Sequence, residues 1–176
     1  MSLWGRIFAA GYDKFMAETE EAGLARHREQ LLADVRGRVL EIGGGTGANL
    51  PHYPRGIAEI VITEPEAPMA RRLPAHALPA RVVSAPAEKL PFEDASFDVA
   101  VSTLVLCTVG VPALALAEIH RVLKPDGQLL FIEHSGQTTA ESLAGKTGST
   151  ACSVASATAA TATAARWPAS RARGSR

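Results

Sequence analysis

Cysteine is almost missing from this 176-residue chain, and its two copies, Cys107 and Cys152, stand alone. None of the five histidines has a second His or Cys at metal-ligand spacing. The sequence therefore predicts reduced thiols, no disulfide framework and no structural metal. Long apolar runs are missing too. The opening MSLWGRIFAAGYDKF lacks an extended h-region with a cleavage site, and no stretch approaches bilayer length; a cytoplasmic chain with no stable membrane insertion is expected. Nor is there a surplus of positive charge: 18 basic side chains face 18 acidic ones, and residues 1–135 hold 13 of the former against 17 of the latter. An acidic domain does not attract a phosphate backbone, which argues against a nucleic-acid partner. No feature specifies an oligomeric state.

What is present reads as one domain with a real core. Apolar residues make up 47% of the chain and charged ones 20%, an ordinary globular balance for a length that holds one core and not two. From Tyr12 to about Val35, Phe15, Met16, Ala22, Leu24, Leu31 and Leu32 recur among charges at helical spacing, with Gly37 as a stop, so one or two amphipathic helices come first. Five short β-rich runs follow: Arg38 to Ile42, Ala58 to Thr63, Ala80 to Ser84, Phe97 to Thr103 and Gln128 to Ile132. Each is too short for a helix and apolar enough to be a buried parallel strand. Helices are predicted between them at Gly47 to Tyr53, Glu66 to Leu78 and Val111 to Leu123, the last stopped by Pro125 and Gly127. Pro86 to Ala95 has room only for a loop. Alternating strand and helix specify an α/β, doubly wound, Rossmann-like sheet.

The sequence from Glu41 to Gly47, EIGGGTG, closes the first strand and opens the next segment, where open α/β sheets bind ligands. Its glycines admit a close ligand approach that a Cβ would block. Glu64 closes the second strand, where a carboxylate can take both hydroxyls of a ribose. Neither feature names the cofactor. Gly43, Gly45 and Ala48 also satisfy the small-residue form of the dinucleotide fingerprint, and NAD and S-adenosylmethionine share the ribose.

Three ordered blocks narrow the choice: VLEIGGGTG from Val39 to Gly47, AEKLPFEDASFDVAVST from Ala87 to Thr103, and EIHRVLKPDGQLLFIEH from Glu118 to His134. With them the chain, from about Tyr12 to His134, resembles the class I S-adenosylmethionine-dependent methyltransferases of the type-11 group, near methylators of quinones, lipids, thiols and other small molecules. The resemblance implies strand order 3-2-1-4-5, S-adenosylmethionine as cofactor and a small-molecule methyl acceptor. It further implies that Glu41 meets the methionyl ammonium directly or through water, a position that repels a dinucleotide pyrophosphate. The backbone of Gly43, Gly45 and Gly47 lies along the cofactor, and Glu64 holds the ribose. Pro65 and Met69 border the adenine, Ala87 and Glu88 lie at its edge, and Thr103 and Leu104 lie beneath the methyl donor. Where many relatives carry an acidic residue this chain has Pro86, for which Glu88 is the substitute.

Methyl transfer is an in-line displacement at carbon, driven mainly by alignment in a water-poor pocket. A thiolate or stabilised carbanion needs no base, and His134 is the candidate base for a protic acceptor. Cys107 reads as a small core residue. A nicotinamide-dependent oxidoreductase would need a Tyr/Lys or His/Asp set that does not occur after the first strand; a catalytically inactive cofactor-binding fragment is the other alternative.

On this reading residues 1–36 form a helical cap, 37–135 the cofactor-binding core, and 136–176 a low-complexity tail in place of the family's closing hairpin. That change of character is explained by out-of-frame translation after about Ala144, with Gly145 to Thr150 rereading as Trp-Gln-Asp-Arg-Leu-Asn. Without the hairpin the fifth strand is expected to be an apolar sheet edge.

Overall fold

The computed structural model describes residue 17, residues 20–73 and 80–133, and the backbone of 161–166. Strands β1 (Arg38–Ile42), β2 (Glu59–Thr63), β3 (Ala80–Val83), β4 (Phe97–Thr103) and β5 (Leu123–Glu133) form a parallel sheet in the order β3-β2-β1-β4-β5, as the sequence predicts. Its registers are set by apolar residues on both faces. Leu40, Val61, Ala100 and Phe131 lie in one core cluster; Val39, Ile60, Ile62, Val99, Val101 and Leu130 lie in the other. A strand buried on both faces has no polar side to alternate, which is why these runs read as continuously apolar.

The helices are shorter than expected. Helix α1 (Ala25–Leu32) is entered through Glu20–Leu24, which is kinked at Gly23, where φ is 127°. Between β1 and β2 the predicted helix is reduced to a single 3₁₀ turn at Leu50–His52. Pro54 holds Tyr53 extended, with ψ 136°, and so stops it. Helix α2 (Ala67–Ala70) is one turn with a proline in its first two positions, and residues 74–79 lie outside the described set. Only α3 (Pro112–Val122) has the expected length.

Two of the motif blocks are fastened to each other. Arg121 donates to the carbonyls of Leu90 and Phe92 and to the carboxylates of Asp94 and Glu118, while Glu118 accepts from the Leu90 N–H. The loop from Pro86 to Ala95 is thereby clasped to α3, and Glu118 is held below the usual carboxylate range chiefly by Arg121.

β5 is not the edge the sequence predicts. A sixth strand, β6 (Thr161–Arg166), pairs antiparallel with it from Gln128↔Arg166 to Glu133↔Thr161. Pairing needs only main-chain groups, so a Thr/Ala segment without apolar periodicity can meet an open edge. The remaining tail, the proposed change of frame and His134 lie outside the described residues. No helix among the described residues is long and apolar enough to cross a membrane.

Ile119 is fully buried between α3 and the sheet. Ile119→Ala should lower unfolding stability by about 2–5 kcal/mol in urea titration; a loss under about 1 kcal/mol would show that α3 is not packed as described.

Candidate functional site

Parallel strands end at a common edge, and the order β2-β1-β4 places the direction change of the winding between β1 and β4. Glu41 to Gly47 leaves β1 there, Glu64 leaves β2, and Leu104 leaves β4. The glycine loop takes conformations that L side chains rarely adopt, with φ 62° at Gly43 and 55° at Gly45. A Cβ on Gly43 would strike Val105 at 2.7 Å, whereas a Cβ on Gly45 would meet nothing within 4 Å. Gly45 thus turns an open, side-chain-free face outward.

Glu64, 6% exposed, accepts from the Gly45 N–H at 2.8 Å on Oε2 and from the Glu66 N–H at 2.9 Å on Oε1. It ties the first two strand ends together and still has unused lone pairs on both oxygens. Leu104 is the strained residue of the site: it is 9% exposed, has φ 59°, and donates its N–H to the Ile132 carbonyl. A branched side chain in the left-handed region persists only when its surroundings hold it there. Glu133, at the end of β5, supplies that hold. Its carboxylate accepts from the N–H groups of Val105, Leu106 and Cys107 at 3.1, 2.9 and 3.3 Å.

Beneath the glycine loop lies a polar network on the face of the sheet that carries α1. Glu41, 2% exposed, accepts from Asn49 at 3.1 Å and from the Tyr53 hydroxyl at 2.9 Å. Arg28, 4% exposed, donates to Asn49 Oδ1 at 2.7 Å and Thr103 Oγ1 at 2.9 Å. Asn49 also donates to Thr103 Oγ1 at 3.0 Å. Burial pushes the Glu41 carboxyl up to about 7, with Tyr53, Asn49 and Arg28 opposing. In this structure the partners of Glu41 are internal, so it positions the segment after the glycine loop.

The structure brings Glu41, Gly43, Gly45, Gly47, Glu64, Thr103 and Leu104 to the carboxyl edge of three adjacent strands. Met69 is buried on α2 and Pro65 is exposed beside Glu64. Ala87 is buried. Glu88 Oε1 accepts from the Gly110 and Val111 N–H groups at 2.9 and 3.3 Å, at the start of α3, so that oxygen is already engaged. Cys107 is exposed rather than in the core, because the loop after β4 turns outward; desolvation and the Glu133 carboxylate push its thiol up to about 11.

Sequence reasoning missed Arg28, Asn49, Tyr53 and Glu133. The signal for Arg28 was its place on the Leu24, Leu31 and Leu32 stripe, a charge on an apolar helix face.

The family model described as a methyltransferase domain matches residues 40–131, a little over half of the chain. The thiol S-methyltransferase TMT1B of Homo sapiens is 41% identical over 103 residues, which are 54% of this chain and 42% of that protein. The ubiquinone/menaquinone biosynthesis C-methyltransferase UbiE of Azotobacter vinelandii is 35% identical over 146 residues, 75% of this chain and 57% of that one. A SAM-dependent methyltransferase from Thermotoga maritima, solved by crystallography, superposes with TM-score 0.55 at 30% identity, over 72% of this chain and 61% of its own. The chain spans about half the length of the curated relatives it matches.

Two outcomes follow from the titrations. From about pH 4.5 to about pH 7 folded Glu41 keeps a proton that the unfolded chain has released, so stability should fall as pH rises through that window and level off above it. The fall should approach about 3 kcal/mol and should vanish in Glu41→Gln; equal pH slopes in the two proteins would contradict the assignment. Cys107, largely a thiol at pH 8, should react slowly with iodoacetamide. Glu133→Gln should speed that reaction several-fold, and an unchanged rate would show that Glu133 does not act on the thiol.

Proposed function

The chain belongs to the methyltransferase-domain family whose model matches residues 40–131, and on that premise we propose that it binds S-adenosylmethionine at the β1, β2 and β4 ends and methylates a small molecule. One observation carries the reading: the side-chain-free face of Gly45 lies beside a buried carboxylate, Glu64, that still has acceptor capacity. A ribose needs that pairing of open backbone and carboxylate.

The electrostatics agree. Glu64 and Glu133 stand at the ends of β2 and β5, and the buried cation among the described residues is Arg28, itself paired with Glu20. Such an edge favours a sulfonium or ammonium and disfavours a dinucleotide pyrophosphate. The spacing of Gly43, Gly45 and Ala48 that admitted NAD is therefore outweighed by charge.

Bound there, S-adenosylmethionine supplies a methyl carbon that its sulfonium opens to displacement. The chain's own part is alignment. Glu64 and the glycine loop hold the ribose side, with Met69 and Pro65 on the adenine side. Leu104 and Val105 form the floor and wall next to Gly43, and Glu133 fixes that loop. A thiol acceptor, as the name of the human relative suggests, or a quinol-type carbon acceptor, as the name of the bacterial one does, reacts as its anion once its proton has passed to solvent, and then asks only for positioning. A protic acceptor would need a base, for which His134 is the sequence candidate.

Calorimetric titration of the folded chain should show saturable binding of S-adenosylmethionine and S-adenosylhomocysteine and none of NAD. Glu64→Ala should weaken it at least tenfold, the loss of charge-assisted hydrogen bonds of about 1.5–3 kcal/mol. Glu64→Gln, which keeps an acceptor for the Gly45 N–H, should weaken it less. Absence of binding by a well-folded sample would overturn the reading, and radiolabelled methyl transfer to small thiols and hydroquinones would then separate the acceptor classes in a chain that binds.

A further inference from the structure

Arg28 has no part in the alignment just described, yet it is the buried cation beside the site. Its guanidinium is held along two edges. Nη1 donates to Asn49 and Thr103, neutral groups that belong to the sheet and the glycine loop. Nε donates to both oxygens of Glu20 at 3.2 and 3.3 Å, and Nη2 to Glu20 Oε1 at 3.0 Å. The planar fork of a guanidinium matches a carboxylate in this way.

The two edges differ in what they are attached to. Thr103 ends β4 and Asn49 follows the glycine loop, whereas Glu20 lies on the far side of a kink, three residues before Gly23. Gly23 has φ 127°, and a Cβ there would meet nothing within 4 Å. The Arg28 side chain is 5% exposed and that of Glu20 is 25% exposed. A guanidinium this deeply buried requires an anionic partner. The partner it has comes from a short segment with a glycine pivot, and it approaches from the more exposed side.

We propose that Glu20 is an internal stand-in for a ligand carboxylate. The carboxylate of an α-amino-acid moiety takes the Nε and Nη2 edge of Arg28, and Glu20 leaves it by a change at the Gly23 kink, with Leu24 staying packed in the core. The inference rests on the proposed binding of S-adenosylmethionine, whose methionyl end carries such a group. While Glu20 holds the edge, the site's apparent affinity is lowered by the fraction of time that edge is taken. Removing Glu20 therefore tightens binding, a direction that damage to the fold does not produce.

The test compares S-adenosylhomocysteine with 5′-methylthioadenosine, which keeps the nucleoside and thioether but lacks the carboxylate. Each is titrated calorimetrically into the wild-type chain, Glu20→Gln and Gly23→Ala. The glycine variant leaves both charges in place and strains only the backbone conformation that seats Glu20. Both variants should bind S-adenosylhomocysteine about tenfold tighter and 5′-methylthioadenosine unchanged within about twofold. Unchanged or weaker S-adenosylhomocysteine binding in the variants, with normal wild-type binding, overturns the stand-in role alone. Equal tightening of both ligands overturns it as well, because the gain would not depend on the carboxylate. A folded wild-type chain that binds neither ligand overturns the cofactor reading and this inference together.

Discussion

A charged side chain that folding takes out of water must find its partners in the fold, and Arg28 imposes that requirement on much of the structure around the site. Its donors reach one residue from the N-terminal turn, one after the glycine loop and one at the end of β4. Three segments far apart in sequence are thereby held to one point. Asn49 then has its amide left to face Glu41 and Thr103, and Tyr53 completes the Glu41 shell. A partly satisfied network of this kind is worse than an apolar core, and among the described residues no buried side-chain nitrogen or oxygen lacks a partner. Completeness makes the network a support for the glycine loop rather than a weakness beneath it.

The opposite side of the site is organised by a carboxylate instead of a cation. Glu133 gathers three successive N–H groups after β4, the arrangement that begins a helix, but the chain makes only a single turn there, with Thr108 and Val109 donating to the Val105 carbonyl. Val105 is thus presented to Gly43. The two loops that flank the direction change of the sheet are set by different chemistry, one from each face.

The parallel strands were legible because double burial leaves a simple mark: RVLEI and FDVAVST were bounded correctly at both ends. Helices were less legible. Gly47 to Tyr53 lies where the strand alternation calls for a helix, yet Pro51 and Pro54 leave one turn, and in Glu66 to Leu78 the described helix ends at Ala70. Before β2, Pro54 holds Tyr53 extended and so stops the turn. β6 was not legible, since strand pairing is a property of the edge it meets and the Thr/Ala alternation of Thr161 to Arg166 carries no large apolar side chain. For the site, the placement of the glycine loop and Glu64 at the ends of β1 and β2 could be read because it depends on local position. Glu133 and Arg28 were not assigned roles: the partners of Glu133 lie 26 to 31 residues away, and Arg28 meets Asn49 and Thr103 at 21 and 75 residues' distance, although Glu20 is only eight away.

Leu104 brings the demands of folding and of the site into conflict. A leucine in the left-handed region costs on the order of 1–3 kcal/mol relative to an unstrained backbone, a large share of a typical domain's margin. Glycine would relieve it without loss of hydrogen bonds, since Leu104 contributes its main-chain N–H to Ile132. It would also surrender the apolar contact that Leu104 makes with Leu24 and Ile132, and with it the stiffness of the loop facing Gly43. Directed evolution of this scaffold for heat resistance alone should therefore find this position early, and each such success would come at the end of β4, within the proposed cofactor site.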